Sequence, residues 1–220
     1  MLSSIYQLYE GLLAEVDREF NRVSNIFIDR MQCRKGCSSC CSQLFPISAI
    51  EAAYISRAVK GLPPDVQEGM RRKAHDYLTE LMGPEFDAAQ SIEEHGKSVS
   101  AALDKSVGKR YIPCPALEDD ACSIYSHRPI IARKYGIPLW NPKNPRVLQA
   151  CELNFKAGEA IEVEGVVEPQ MEMEYRWLAF KQGVHRELDL PDVVATVASA
   201  VLYDYESLLE EKIAGKTAGE

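Results

Sequence analysis

The sequence predicts a mainly α-helical single domain with a small β-hairpin and an irregular, cysteine-ligated metal site. Three observations carry this reading. Apolar residues recur at three- and four-residue steps over most of the 220 residues, prolines concentrate between residues 110 and 148, and four of the seven cysteines fall within 33–41. The first pattern builds helices, the second interrupts them, and the third places soft metal ligands where the chain is irregular. The expected organisation is an N-terminal amphipathic helix over 1–30, a cysteine-cluster metal-binding domain over 31–151, and C-terminal helices over 152–220 packed on the same core.

Ile5, Tyr9, Leu12, Val16, Phe20, Val23 and Phe27 line one face of a helix predicted over residues 3–30, which runs directly into Cys33. Ser48 and Glu51 form the signature of a capping box, opening a helix that ends near Lys60 before Gly61-Leu62-Pro63-Pro64. Pro64 suits the first turn of the next helix, whose face is marked by Val66, Met70, Tyr77 and Leu81 up to Gly83-Pro84. A weaker, more polar helix is expected over 85–106.

Between Arg110 and Leu148 six prolines exclude long helices. Tyr111-Ile112 and Cys122-Ser123-Ile124-Tyr125 are expected as short strands of a hairpin around the acidic turn Glu118-Asp119-Asp120. Two helices, about 170–188 and 191–212, close the chain, with Pro191 placed to start the second. Trp140 and Trp177 are expected as core or interface anchors.

The formal net charge of −8 and the pI near 5.2 oppose a general electrostatic hold on nucleic acid or an anionic membrane. No apolar stretch approaches the roughly 20 residues of a membrane-spanning helix. The opening residues lack the basic, apolar and small-residue segments of an export signal, so a cytoplasmic location is expected.

In a reducing cytoplasm disulfides seldom persist, and an odd count of seven would strand one cysteine. Burial as a small hydrophobe accounts for Cys151 alone but not for the run Cys33-x3-Cys37-x2-Cys40-Cys41. Thiolates select zinc, copper(I) and iron–sulfur clusters, and these short spacings let a turn aim successive sulfurs at one centre. The candidate metal ligands are therefore Cys33, Cys37, Cys40, Cys41, Cys114, Cys122 and Cys151, with 33–41 and 114–122 expected to form one site. Arg30, Arg34 and Lys35 bracket the first group and Arg128, Arg133 and Lys134 follow the second, either to balance buried thiolates or as ordinary surface charge.

His127, five residues after Cys122, is either a further ligand or a turn residue. His75, His95 and His185 fall on predicted helices as surface or partly buried side chains. Tyr125, Arg128 and Arg133 either orient the thiolates or pin the hairpin to the helices. Cys33-x3-Cys37-x2-Cys40 also has the spacing of the radical S-adenosylmethionine motif. Ser39 stands where that motif usually has an aromatic residue, and no alternating strand–helix series surrounds it.

Taken together, Cys33-x3-Cys37-x2-Cys40-Cys41 and Cys114-x7-Cys122-Ser-Ile-Tyr125-x2-Arg128-Pro129-x3-Arg133 resemble the YkgJ-like family of zinc- or iron-chelating cysteine-cluster proteins, whose pattern is CxxCxxCC, sometimes spaced CxxxC at its start as here, followed by C…CxIYxxRPxxCR. The resemblance covers about residues 30–151. It departs at Ala132, where the family usually has a cysteine; Cys151 is then a candidate replacement. The resemblance implies iron–sulfur or zinc. Seven thiols are too many for one tetrahedral zinc and one short of two four-cysteine sites, while adjacent Cys40 and Cys41 are easier to accommodate around a larger cluster. The expected cofactor is a four-iron iron–sulfur cluster serving a redox or cluster-dependent role. Zinc in a structural or interaction module is the alternative, and a methyltransferase-like enzyme is a third class, since flagellin lysine methylases carry a similar cysteine domain.

Overall fold

The computed structural model describes residues 1–34, 36–106, 110–141, 148–156, 158–161, 164–191 and 193–218. Within them the chain is mainly helical with one two-stranded hairpin, as expected. Helix α1 (Leu2–Ile26) is followed by α2 (Ala49–Lys60), α3 (Pro64–Met82) and α4 (Ile92–Ser106). Strands β1 (Leu117–Glu118) and β2 (Ala121–Cys122) lead to the short α5 (Ile130–Lys134) and the long α6 (Val167–Leu188). Two further helices, α7 (Val197–Leu202) and α8 (Tyr205–Ala218), complete the fold. No helix among the described residues is long and apolar enough to cross a membrane.

Helix α2 is the centre of the fold. Ile50, Ala52, Ala53, Ile55 and Val59 are all buried, which no single stripe would require, and α7 and α8 cover the side that an amphipathic surface helix would leave wet. Its start is the predicted capping box: Ser48 Oγ accepts from the Glu51 N–H at 3.3 Å, and the Glu51 carboxylate accepts from the Ser48 N–H at 2.9 Å. The main apolar cluster joins residues of α1, α2, α3, α4, α7 and α8, with Tyr9, Ile50, Ile55, Leu78, Tyr205 and Leu209 almost fully enclosed. A smaller cluster of Val23, Ile137, Leu139 and Val166 lies under the end of α1. Trp177 joins the main core beside Tyr9, ring centroids 5.7 Å apart, and with Trp140 borders a small gap between α1, α5 and α6.

Several boundaries differ from expectation, each for a local reason. Helix α1 stops at Ile26 because Phe27 leaves the helical face to meet Phe155 edge-on at 5.2 Å. Helix α4 begins at Ile92, not near 85, because Ser91 and Glu94 form a second reciprocal cap. The hairpin strands are 117–118 and 121–122. Asp119 and Asp120 both take positive φ, 45° and 58°, and this two-residue turn pairs Glu118 with Ala121 and Leu117 with Cys122. Tyr111-Ile112 therefore lies outside the hairpin, and Tyr125–His127 is a 3₁₀ turn in place of a strand end.

The single helix expected over 191–212 is two helices, and Pro191 starts neither. Ala195 is held extended by paired backbone bonds with Ile47, 2.8 and 3.0 Å, so helix formation waits for the next cap. Thr196 and Ser199 then form a reciprocal cap for α7. Asp204 caps α8 by accepting from the N–H and hydroxyl of Ser207, which separates the two helices at Tyr203-Asp204.

His95, expected at the surface or half-buried, is fully enclosed between α4 and α7. One ring nitrogen lies 2.9 Å from Ser199 Oγ, the ring faces Tyr203 at 4.3 Å, and Nδ1 has no hydrogen-bond partner among the described residues. Burial lowers its pKa from 6.5 to about 4. Between those values the unfolded chain binds a proton that the folded chain refuses, so stability falls as pH drops through this window and is unaffected by His95 above it. The full shift corresponds to about 3 kcal/mol. Urea midpoints measured from pH 7 to pH 4.5 are expected to fall more steeply for the natural protein than for His95→Gln; parallel curves would show that His95 does not control this dependence.

Candidate metal centre

The first cysteine is held by a residue far away in sequence. Asn154 Oδ1 accepts from the Gln32 N–H at 2.8 Å, while its amide nitrogen donates to Cys33 Sγ at 3.4 Å and to the Gly136 carbonyl at 2.7 Å. Gly136 has φ of 119°, and a Cβ there would stand 2.6 Å from Cys33 Sγ, so both backbone conformation and space exclude a side chain. Gly36, at φ 87°, makes the reversal between Cys33 and Cys37 and has open space around it. The Cys37 N–H donates to the Arg34 carbonyl at 3.0 Å, and a 3₁₀ turn over Ser39–Ser42 carries Cys40 and Cys41.

The second cysteine segment is stitched directly onto the first. The Cys114 N–H donates to the Cys41 carbonyl at 2.7 Å, and the Ile112 N–H to the Ser42 carbonyl at 3.1 Å. Ser38 Oγ donates to Asp120 at 2.7 Å, joining the cysteine loop to the hairpin turn. The hairpin is fixed to α3 by Lys73, which donates to the Leu117 carbonyl at 2.9 Å and pairs with Glu118.

Six of the seven cysteines, Cys33, Cys37, Cys40, Cys41, Cys114 and Cys122, line one cavity of about 1060 Å³. Cys151 is buried off this wall. All seven are free thiols. They are spread over the wall and not gathered at a point: among the described residues, no three His, Cys, Asp or Glu side chains form a group that could hold a metal ion as they stand. The sulfurs nonetheless form one electrostatically connected set. Repulsion from Cys37, Cys151 and Cys40 reaches Cys33; Cys114 and Cys122 act on Cys41; and Cys40 acts on both Cys114 and Cys122.

The vicinal pair is asymmetric. A hydrogen bond from the Cys40 thiol to the Cys41 sulfur raises the pKa of Cys40 and lowers that of Cys41. Burial raises Cys33 and Cys122, and pushes Cys114 up to about 12. Arg128 favours the thiolates of all three of Cys40, Cys41 and Cys122, opposing the upward shifts at Cys40 and Cys122 and adding to the downward shift at Cys41.

Arg128 and Arg133 divide into two roles. Arg133 is a pin: it is buried, pairs with Asp17 of α1 at 2.6 Å, and donates to the carbonyls of Arg128 and Ser126. Arg128 faces the thiols, its guanidinium 3.7 Å from the centroid of the exposed Tyr125 ring. His127 is turned away from the cavity wall, its ring 4.8 Å from that of Tyr54 on α2. Ala132, on α5, lines the cavity. Asn154 and Gly136 were not signalled by any local pattern, because both act on Cys33 across long sequence separations.

Comparison with protein-family models, with curated proteins and with solved structures returns no match for this chain.

Substitution at the two glycines separates conformation from crowding. Gly36→Ala is expected to lower stability by roughly 1 kcal/mol through its positive φ alone. Gly136→Ala adds the collision with Cys33 and is expected to cost roughly 2–3 kcal/mol. Urea denaturation of the two variants checks this, and equal losses would show that Cys33 is not confined by Gly136.

Proposed function

We propose that this chain is a cysteine-ligated metal protein that holds an iron–sulfur cluster between the 33–41 loop and the 114–122 segment, in the manner of the YkgJ-like proteins it resembles. The observation that carries the reading is the convergence of six cysteines, drawn from two distant segments, on one cavity. The donor set fits in kind: the thiols are uniformly soft ligands, free of disulfides, with the Arg128 cation beside them to offset thiolate charge. Their spread over the wall favours a centre of several atoms over a single ion, and it requires the loop to draw inward as ligands engage. Such a cluster would supply one-electron redox chemistry, while the chain's own residues hold it, exclude water and balance its charge. The reduced thiols suit a cytoplasmic setting.

Protein purified anaerobically with both metals available is expected to be brown and to contain iron with acid-labile sulfide. Stoichiometric zinc with no visible absorbance would replace this reading with a zinc-stabilised module. On the same preparations, Cys37→Ser and Cys122→Ser are each expected to remove most of the metal, because they lie on opposite halves of the site. Loss with Cys37→Ser alone would mean that the two halves do not share a centre.

Ala132 gives a gain-of-ligand test. Because its side chain borders the cavity, Ala132→Cys adds a thiol to the existing set, and slower metal loss to a chelator is expected without a fall in melting temperature. Unchanged retention with a lowered melting temperature would identify the position as ordinary packing, with an overpacking cost of roughly 1–3 kcal/mol.

A further inference from the structure

The cavity is larger than its sulfurs need. Metal–sulfur bonds are about 2.3 Å long, whereas about 1060 Å³ is the scale of a small-molecule pocket, for which roughly 300–1,000 Å³ is usual. Its wall is also built for more than metal. Phe20 from α1, Tyr77 from α3, and the pair Phe45–Tyr135, with ring centroids 5.4 Å apart, give it several aromatic surfaces. Such a surface next to a few fixed polar groups is the usual composition of an organic ligand site.

The charges on the wall are unevenly satisfied. Asp17 is paired with Arg133, and Asp120 accepts from Ser38. Arg128 has no carboxylate partner among the described residues, yet its guanidinium is held in place. Nε donates to the Tyr125 carbonyl at 3.2 Å, Nη1 lies 3.5 Å from the Ala132 carbonyl, and the plane rests on the Tyr125 ring. Five N–H donors minus these two leave three directed elsewhere in a fixed fork, the geometry that recognises a carboxylate. A cation restrained in advance loses little freedom on binding.

We propose that the cavity binds a flat organic carboxylate beside the thiols, with its carboxyl group on Arg128 and its apolar body against the aromatic wall of Phe20, Phe45, Tyr77 and Tyr135. This deepens the metal reading, on which it rests for the shared cavity, by naming the class of small molecule that would lie next to the centre. The alternative role for Arg128, balancing thiolate charge alone, predicts no preference between an acid and its neutral analogue.

The test uses the full chain as purified, with metal content measured on every sample, and calorimetric titration with 2-naphthoate and with neutral 2-naphthamide. Naphthoate is expected to bind roughly tenfold more tightly than the amide. Arg128→Met is expected to abolish that preference while leaving amide binding unchanged. Tyr125→Ala, at an exposed position with little bearing on folding, is expected to reduce the preference, and it carries the test should Arg128→Met fail to fold. Equal affinity for acid and amide in the natural protein, no binding of either, or a preference that survives loss of Arg128 or Tyr125 would overturn the proposal. Acid-selective binding by protein that holds no iron or zinc would leave this proposal standing and remove the metal reading; metal without acid selectivity would do the reverse.

Discussion

The closure that sets the Cys114 N–H against the Cys41 carbonyl is the constraint on which the site depends. It joins two segments that are separated by all of α2, α3 and α4. Closing so long a loop carries an entropic cost that one hydrogen bond cannot offset, since a typical bond contributes only about 1 kcal/mol net. The closure is instead supplied by the core: α3 packs on α4 and α7, and α2 on α7 and α8, so that the chain emerging from α4 is delivered to the cysteine loop. The cavity is thus a product of helix packing. Its geometry is inherited from apolar contacts made elsewhere.

Two buried polar knots then set the orientation of the cavity wall. Glu51, besides capping α2, accepts from the Ile130 N–H at 3.1 Å and so fixes the start of α5 against the central helix. Arg133 gathers Asp17, Ser126 and Arg128 around one guanidinium. Between them they determine where Ala132 and Arg128 stand. A carboxylate enclosed this completely is disfavoured by burial, and its three hydrogen-bond donors are what make it tolerable.

What could be read from the sequence divides along the same line between local and distant causes. The Ser48–Glu51 cap and the helix-opening Pro64 were legible because their partners lie within one turn. The same signal stands at Ser91–Glu94, with close variants at Thr196–Ser199 and Asp204–Ser207, and it marks the boundaries that periodicity alone misplaced. The hairpin shifted because paired aspartates can make a two-residue turn that alternation of apolar residues does not reveal. The cysteine spacing pointed to a meeting of the 33–41 and 114–122 segments, and those segments do converge. By contrast, Asn154 and Gly136 act across the fold, and the opposed roles of Arg128 and Arg133 follow from their distant settings: Arg133 of α5 pairs with Asp17 of α1, while Arg128, ahead of that helix, rests on Tyr125. No spacing rule contains that information.

The bridge between Ile47 and Ala195 has a consequence for biosynthesis. The cysteine loop is made before α7 and α8, yet α2, which lies directly after it, packs most heavily on those two later helices. At ordinary translation speeds the interval between Cys41 and α8 is on the order of ten seconds. Throughout it the first four thiols are present without the structure that shelters them. The folded cavity is therefore not their setting during that interval, and any centre built there is assembled only after α7 and α8 have been made.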